Sequence, residues 1–157
     1  MSPLRWLLER LSNTSVIPLH AVPPGSGGAA PAHVLAEIER LIKERQHVID
    51  QAREESLLDG AFSILLFEQR WNVAARWRHM EPVALSEVFP SITGAQLADV
   101  QARAVKLIKG AYSAGDELIS SKFEGIIQIK ERLASEHPGF SDESYFKTID
   151  YGCYLAK

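Results

Sequence analysis

Apolar positions in this chain recur three and four residues apart along most of its length, the spacing of helix faces rather than of strands. The segment Gly60 to Met80 carries the pattern twice. On a helical projection Phe62, Leu65, Leu66, Val73, Trp77 and Met80 share one stripe, while Ile64, Phe67, Trp71 and Ala75 gather on the other side beside Arg78. A helix apolar on two faces is either sandwiched between neighbours or offers one face to a partner. Asp59 is placed to cap its start and Pro82 to stop it.

Before it, Val34, Leu35, Ile38, Leu41, Ile42, Val48, Ile49 and Ala52 form the clearest single stripe, opposite a polar face of Glu37, Arg40, Lys43, Glu44, His47 and Asp50. Arg45 falls inside the stripe, with its stem packed and its head reaching water; a buried pair with Glu68 is the other option. Leu57 and Leu58 drop out of phase, which predicts a tight turn at Asp59-Gly60. The expected result is an antiparallel central pair of helices over 31–58 and 60–80.

Residues 81–92 read as a connection with one helical turn, its Val83, Leu85, Val88 and Phe89 plugging the end of a bundle. Thr93-Gly-Ala-Gln96 is a capping-box pattern. From Leu97 to Leu133 the apolar positions, Tyr112 and Phe123 among them, keep one phase to about Glu136. One helix of that span would be roughly 60 Å long, out of proportion to the chain. A break is therefore expected near Ser113-Ala-Gly-Asp116. His137-Pro138-Gly139 ends the segment, and Ser141-Asp-Glu starts a last helix whose Tyr145, Phe146, Ile149, Gly152, Cys153 and Ala156 face one way.

At the other end, Ser2-Pro3 followed by Leu4, Leu7, Leu8 and Leu11 predicts a short helix over 1–12, with Trp6 off its stripe. Residues 13–30, rich in proline, glycine and serine, read as a linker with about 25 Å of reach. The organisation predicted is a short N-terminal helix, a linker and one helical domain over 31–157. The fold class is all-α, a bundle of about five or six helices.

Composition narrows the function classes. The chain has 157 residues, 46% hydrophobic and 24% charged, with a net charge of −3 and the signs mixed along its length. No basic face is visible, so nucleic acid is disfavoured. No apolar run reaches the roughly 18 residues of a membrane span, and the N-terminal stretch, with Glu9 and Arg10 inside it, does not read as a signal peptide. A single cysteine excludes an internal disulfide, and no disulfide partner is expected. Cytoplasm is the default location.

Candidate chemistry is sparse. Glu44-Arg-Gln-His47 has the Glu-x-x-His spacing of di-iron bundles, but it lies opposite the apolar stripe and no second copy exists. Neither metal nor cofactor is expected. Cys153 has no adjacent base, so a packed thiol is the reading. Serine nucleophile elbows, Walker loops and dinucleotide fingerprints do not occur. What stands out is the run from Gln69 to His79, because arginine and tryptophan are enriched in binding hot spots. The function expected is a non-enzymatic protein–protein interaction module of the bacterial adaptor, regulator or toxin-neutralising kind. It would bind another protein or a second copy of itself through Ile64, Phe67, Arg70, Trp71 and Arg78, with Trp6 as an addition. The first alternative is an enzyme or small-ligand bundle with a pocket near Tyr112, Glu68, Arg45 and Tyr145. The second is a membrane-surface protein using Leu4, Trp6, Leu7 and Leu8. The first reading needs Ile64, Phe67 and Trp71 to be left uncovered by the chain itself.

Overall fold

Helix follows helix throughout a computed structural model that describes residues 32–71 and 81–157. Six helices of ten residues or more, and one single turn, make an all-α bundle among these residues. The N-terminal helix and linker expected over 1–30 lie outside them, as do Val73, Ala75, Trp77, Arg78 and Met80.

Helix α1 (Ala32–Glu54) and α2 (Leu57–Trp71) form the expected antiparallel pair. The turn between them is at Glu55-Ser56 rather than at Asp59-Gly60. Ser56 is the cap, its Oγ accepting from the Asp59 backbone N–H at 3.1 Å. Leu57 and Leu58 are out of phase with α1 because they already belong to α2. Gly60 sits inside α2, where an added Cβ would overlap the Ala52 carbonyl oxygen of α1. The close crossing of the two helices depends on that missing methyl.

A single turn, α3 (Leu85–Val88), buries Leu85 and Val88 against the bundle as the plug. Helix α4 (Gly94–Lys109) opens on the capping box: Thr93 Oγ1 accepts from Gln96 N at 3.3 Å, and Gln96 Oε1 from Thr93 N at 3.2 Å. The long phase-preserving segment is three helices. Its first break is at Gly110, whose φ of −73° keeps the chain right-handed into α5 (Ala111–Ser120), so Ser113–Asp116 is not a cap.

A second break was not foreseen. Helix α5 ends in a Schellman motif, with Phe123 N donating to Leu118 O at 2.8 Å and Lys122 N to Ile119 O at 3.0 Å. Lys122 and Phe123 take left-handed φ values of 53° and 67° there. This turns Phe123 outward, 46% exposed, although its position belongs to the apolar stripe. Gly125, at φ 79°, leads into α6 (Ile126–Glu136).

The last helix, α7 (Asp142–Leu155), is capped by Ser141 and buried along most of its length, from Ser144 to Cys153. A helix covered on nearly all sides is the centre of its bundle. It packs on α5, α6 and α2, and α2 is covered in turn by α1, α4 and α7. An edge-to-face series, Phe62 to Phe140 at 5.8 Å and Phe140 to Tyr145 at 6.1 Å, links α2 to the start of α7.

Candidate functional site

Covering α2 from three directions decides the fate of its second face. Ile64 is 1% exposed and Phe67 7% exposed, so neither belongs to an open surface. That corrects the expectation for both. In the described part of the doubly apolar segment, Gly60 to Trp71, both faces up to Phe67 are covered by α1, α4 and α7 of the same chain. Arg78 and Trp6 lie outside the described residues.

Among the described residues, the cover of α2 thins towards Trp71. A groove of about 870 Å³ opens between α1, α2 and α7, with Leu66, Phe67 and Val48 towards its floor and Trp71 on its wall. Trp71 is half-buried. Two cations stand over its ring, the Arg40 guanidinium carbon 5.3 Å and that of Arg70 5.8 Å from the ring centroid. The α1 wall carries Arg40, Lys43 and His47, spaced three and four residues apart and therefore on one stripe. Lys147 faces them from α7.

The polar groups of the groove hold one another in place. Arg40 donates to Glu37 at 2.6 Å and to Glu44 at 2.7 Å. The bond Arg40 donates to Glu37 is the largest reason its pKa rises further above an already high value. Lys147 pairs with Glu143 at 2.9 Å. Asp150, only 7% exposed, takes a single contact from Arg70 Nη1 at 3.5 Å. Arg70 also stands 5.6 Å from the Tyr154 ring, which stacks on Tyr151 at 6.3 Å. Of the residues expected from sequence, Arg70 and Trp71 thus meet at an open site. Lys147, Glu143 and Asp150 were not foreseen there, because α7 reaches α2 only through the tertiary fold. The one local hint was the Arg40/Lys43/His47 spacing.

The residues suggested for an inter-helix pocket do not converge. Tyr112 is 55% exposed on α5. Tyr145 is buried and donates its hydroxyl to the His137 carbonyl at 2.7 Å; burial raises its pKa. Glu68 and Arg45 do approach each other. Burial raises the Glu68 pKa, while the Val83 N–H it accepts and the Arg45 charge pull it back. Arg45 also donates to the Glu81 carbonyl at 2.9 Å, so both side chains tie α1 and α2 to the segment after α2. Glu44 and His47 both line the groove, yet among the described residues no three metal-ligating side chains cluster. Cys153 is fully buried, its Sγ 3.8 Å from the Gly115 carbonyl, and burial raises its pKa. Among the described residues no helix is long and apolar enough to cross a membrane.

The chain matches no protein-family model, no curated protein and no solved structure.

Proposed function

We propose that this chain is a helical protein–protein interaction module, cytoplasmic and non-enzymatic, whose contact is the groove around Trp71. It would act as an adaptor or regulator by occluding the surface of a partner it binds. The observation that carries this reading is the half-buried ring of Trp71, with Arg40 and Arg70 both over it, at the edge of a groove among the described residues.

Tryptophan and arginine supply a large share of binding energy where they occur at interfaces. A ring already flanked by two guanidinium groups also loses little side-chain freedom on binding, which lowers the cost of association. Leu66 and Phe67, both buried, only back the groove, and the apolar area offered is chiefly that of the half-buried Trp71 ring. The face proposed here is therefore displaced from the one expected from sequence. It keeps Arg70 and Trp71, drops Ile64, and uses Phe67 from beneath.

Affinity capture from the native host, with the wild-type chain and Trp71→Ala as baits, tests this. A partner retained by the wild type and lost with a folded Trp71→Ala supports the reading. Identical capture by both overturns it. Trp71→Phe, which keeps an aromatic face for the two arginines, should retain part of the binding and guards against a folding defect.

A further inference from the structure

We infer that residues 1–12 of this chain dock on the outer stripe of α1 formed by Leu35, Ile38 and Ile42, a face separate from the groove. Leu35 and Ile42 are both 49% exposed, and Ile38 between them is only part-covered. The three stand at i, i+3 and i+7 and so form one apolar strip about 10 Å long. Leu41, 1% exposed, marks the inward side of α1. Leu35 and Ile42 lie roughly 100–120° round the helix from it, whereas Arg40 and His47 lie as far round in the other direction. An occupant of the groove therefore leaves this strip bare. A lone exposed leucine needs no explanation, but three large aliphatic side chains in one line mark a contact surface.

The chain itself supplies a matching strip. Leu4, Leu7 and Leu11 repeat the i, i+3, i+7 spacing, with Leu8 beside them. Helices with apolar residues at that spacing interdigitate along a shallow crossing, each side chain entering a gap in the other surface. The tether favours this segment over a free partner. Residues 13–31 join it to the start of α1 and have about 25 Å of reach, while Ile42 is roughly 15 Å along the helix from Ala32. The linker is long enough to close and holds the segment at about millimolar local concentration. A second copy at about micromolar concentration would need about a thousandfold tighter contact to compete. Arg5 and Arg10 against Glu9 give the segment too little positive charge to be drawn to an anionic lipid surface instead.

Thiol reactivity of the full chain tests the inference, because Cys153 is fully buried and adds no fast background. Ile42→Cys puts a thiol inside the strip and keeps it apolar. A thiol-reactive chromophore should attack it at least about tenfold more slowly than in an Ile42→Cys chain that also carries Leu4→Asp and Leu7→Asp, since protection scales with local concentration over Kd. Circular dichroism checks that both chains are folded. Tyr112→Cys, at an equally exposed site on α5, should react at one rate in both backgrounds. Doubling the linker with inserted glycine and serine changes no apolar residue. It should speed the Ile42→Cys reaction about threefold, as local concentration falls with the −3/2 power of length. Equal rates with and without the aspartates overturn the inference, whether both are fast or both slow. So does equal protection at Tyr112→Cys, or protection that ignores linker length. Protection that grows with protein concentration assigns the strip to a second copy and overturns it too. The groove reading stands or falls separately, through capture with Trp71→Ala.

Discussion

Gly115 on α5 and Gly152 on α7 lie backbone against backbone. A Cβ on Gly115 would overlap the Gly152 carbonyl group, and one on Gly152 would overlap the Ala111 carbonyl and come 2.8 Å from Gly115 N. With Ala111, Ala114 and Cys153 filling the rest of the seam, the two helices approach more closely than side chains of ordinary size permit. Gly115, which weakens α5 as an isolated helix, is what allows α5 to seat on the central helix.

Gly152→Ala should therefore destabilise the protein by about 3 kcal/mol or more, at the upper end for overpacking, because main chain rather than a flexible side chain must move. Gly94→Ala is the matched control. Its Cβ meets nothing within 4 Å, so the substitution should be neutral or stabilise by up to about 1 kcal/mol. Urea unfolding of the two variants, read by circular dichroism, gives both values. Equal stability for the pair would show that α5 and α7 do not cross at these glycines.

Asp59 joins the starts of two helices. Its carboxylate accepts from Ser56 Oγ at 2.7 Å in its own first turn, and from Ser141 N at 2.9 Å and Ser144 Oγ at 2.7 Å at the start of α7. Burial alone would raise its pKa, but these hydrogen bonds together outweigh it and hold the pKa below the ordinary carboxylate value. A lowered folded-state pKa means the contribution is fully present above the unfolded value, about 3.9, and is lost as pH falls through the folded one. Asp59→Ala should cost about 1–3 kcal/mol at neutral pH. It should also lose part of the decline in stability expected of the wild type below about pH 4. Melting curves across an acid pH series check both.

The Arg70–Asp150 pair predicts a coupling. Removing the arginine leaves a nearly buried carboxylate without its cation, which costs about 3 kcal/mol, whereas an uncharged partner tolerates the loss better. Arg70→Met should consequently be more destabilising in the wild type than in an Asp150→Asn background, by about 1–2 kcal/mol. Denaturant titration of the double-mutant cycle measures the difference. Additive effects would mean that the 3.5 Å contact carries no coupling energy.

Trp71→Ala should reduce partner capture while changing stability by no more than about 1–2 kcal/mol, since its ring stands at the groove and not in the core. Thermal denaturation separates the two effects. A loss comparable to a core truncation would assign the ring to packing alone.

Cys153 should be inert in the native protein. It is enclosed between α5 and α7, and burial favours its neutral thiol. A thiol-reactive chromophore should react with it only once denaturant opens the bundle, and prompt reaction with the folded protein would contradict its placement.

Much of the helical layout was legible because its signals are local. Thr93 and Gln96 cap each other within four residues, and Ser141 caps α7 from the adjoining position. The break after Ser120 was not legible, because a Schellman ending is ordinarily announced by glycine. Lys122 and Phe123 occupy those left-handed positions here, and the glycine comes only at 125. The candidate site was half legible. Arg70 and Trp71 stood out by residue type, but their partners Arg40 and Asp150 looked like any solvated polar positions.

By itself, then, the order of residues determined that the chain is helical, where several helices start and stop, and which stripes are apolar. Those properties follow from hydrogen bonds and backbone preferences spanning a few residues. Which stripe is covered, and by what, was settled only in the tertiary structure. Ile64 and Phe67 are buried, and Arg70 meets Asp150 across 80 residues of sequence, because glycine seams at 60, 115 and 152 let the helices close in. Packing distance between helices is a property of two surfaces at once, and no single stretch of chain encodes it.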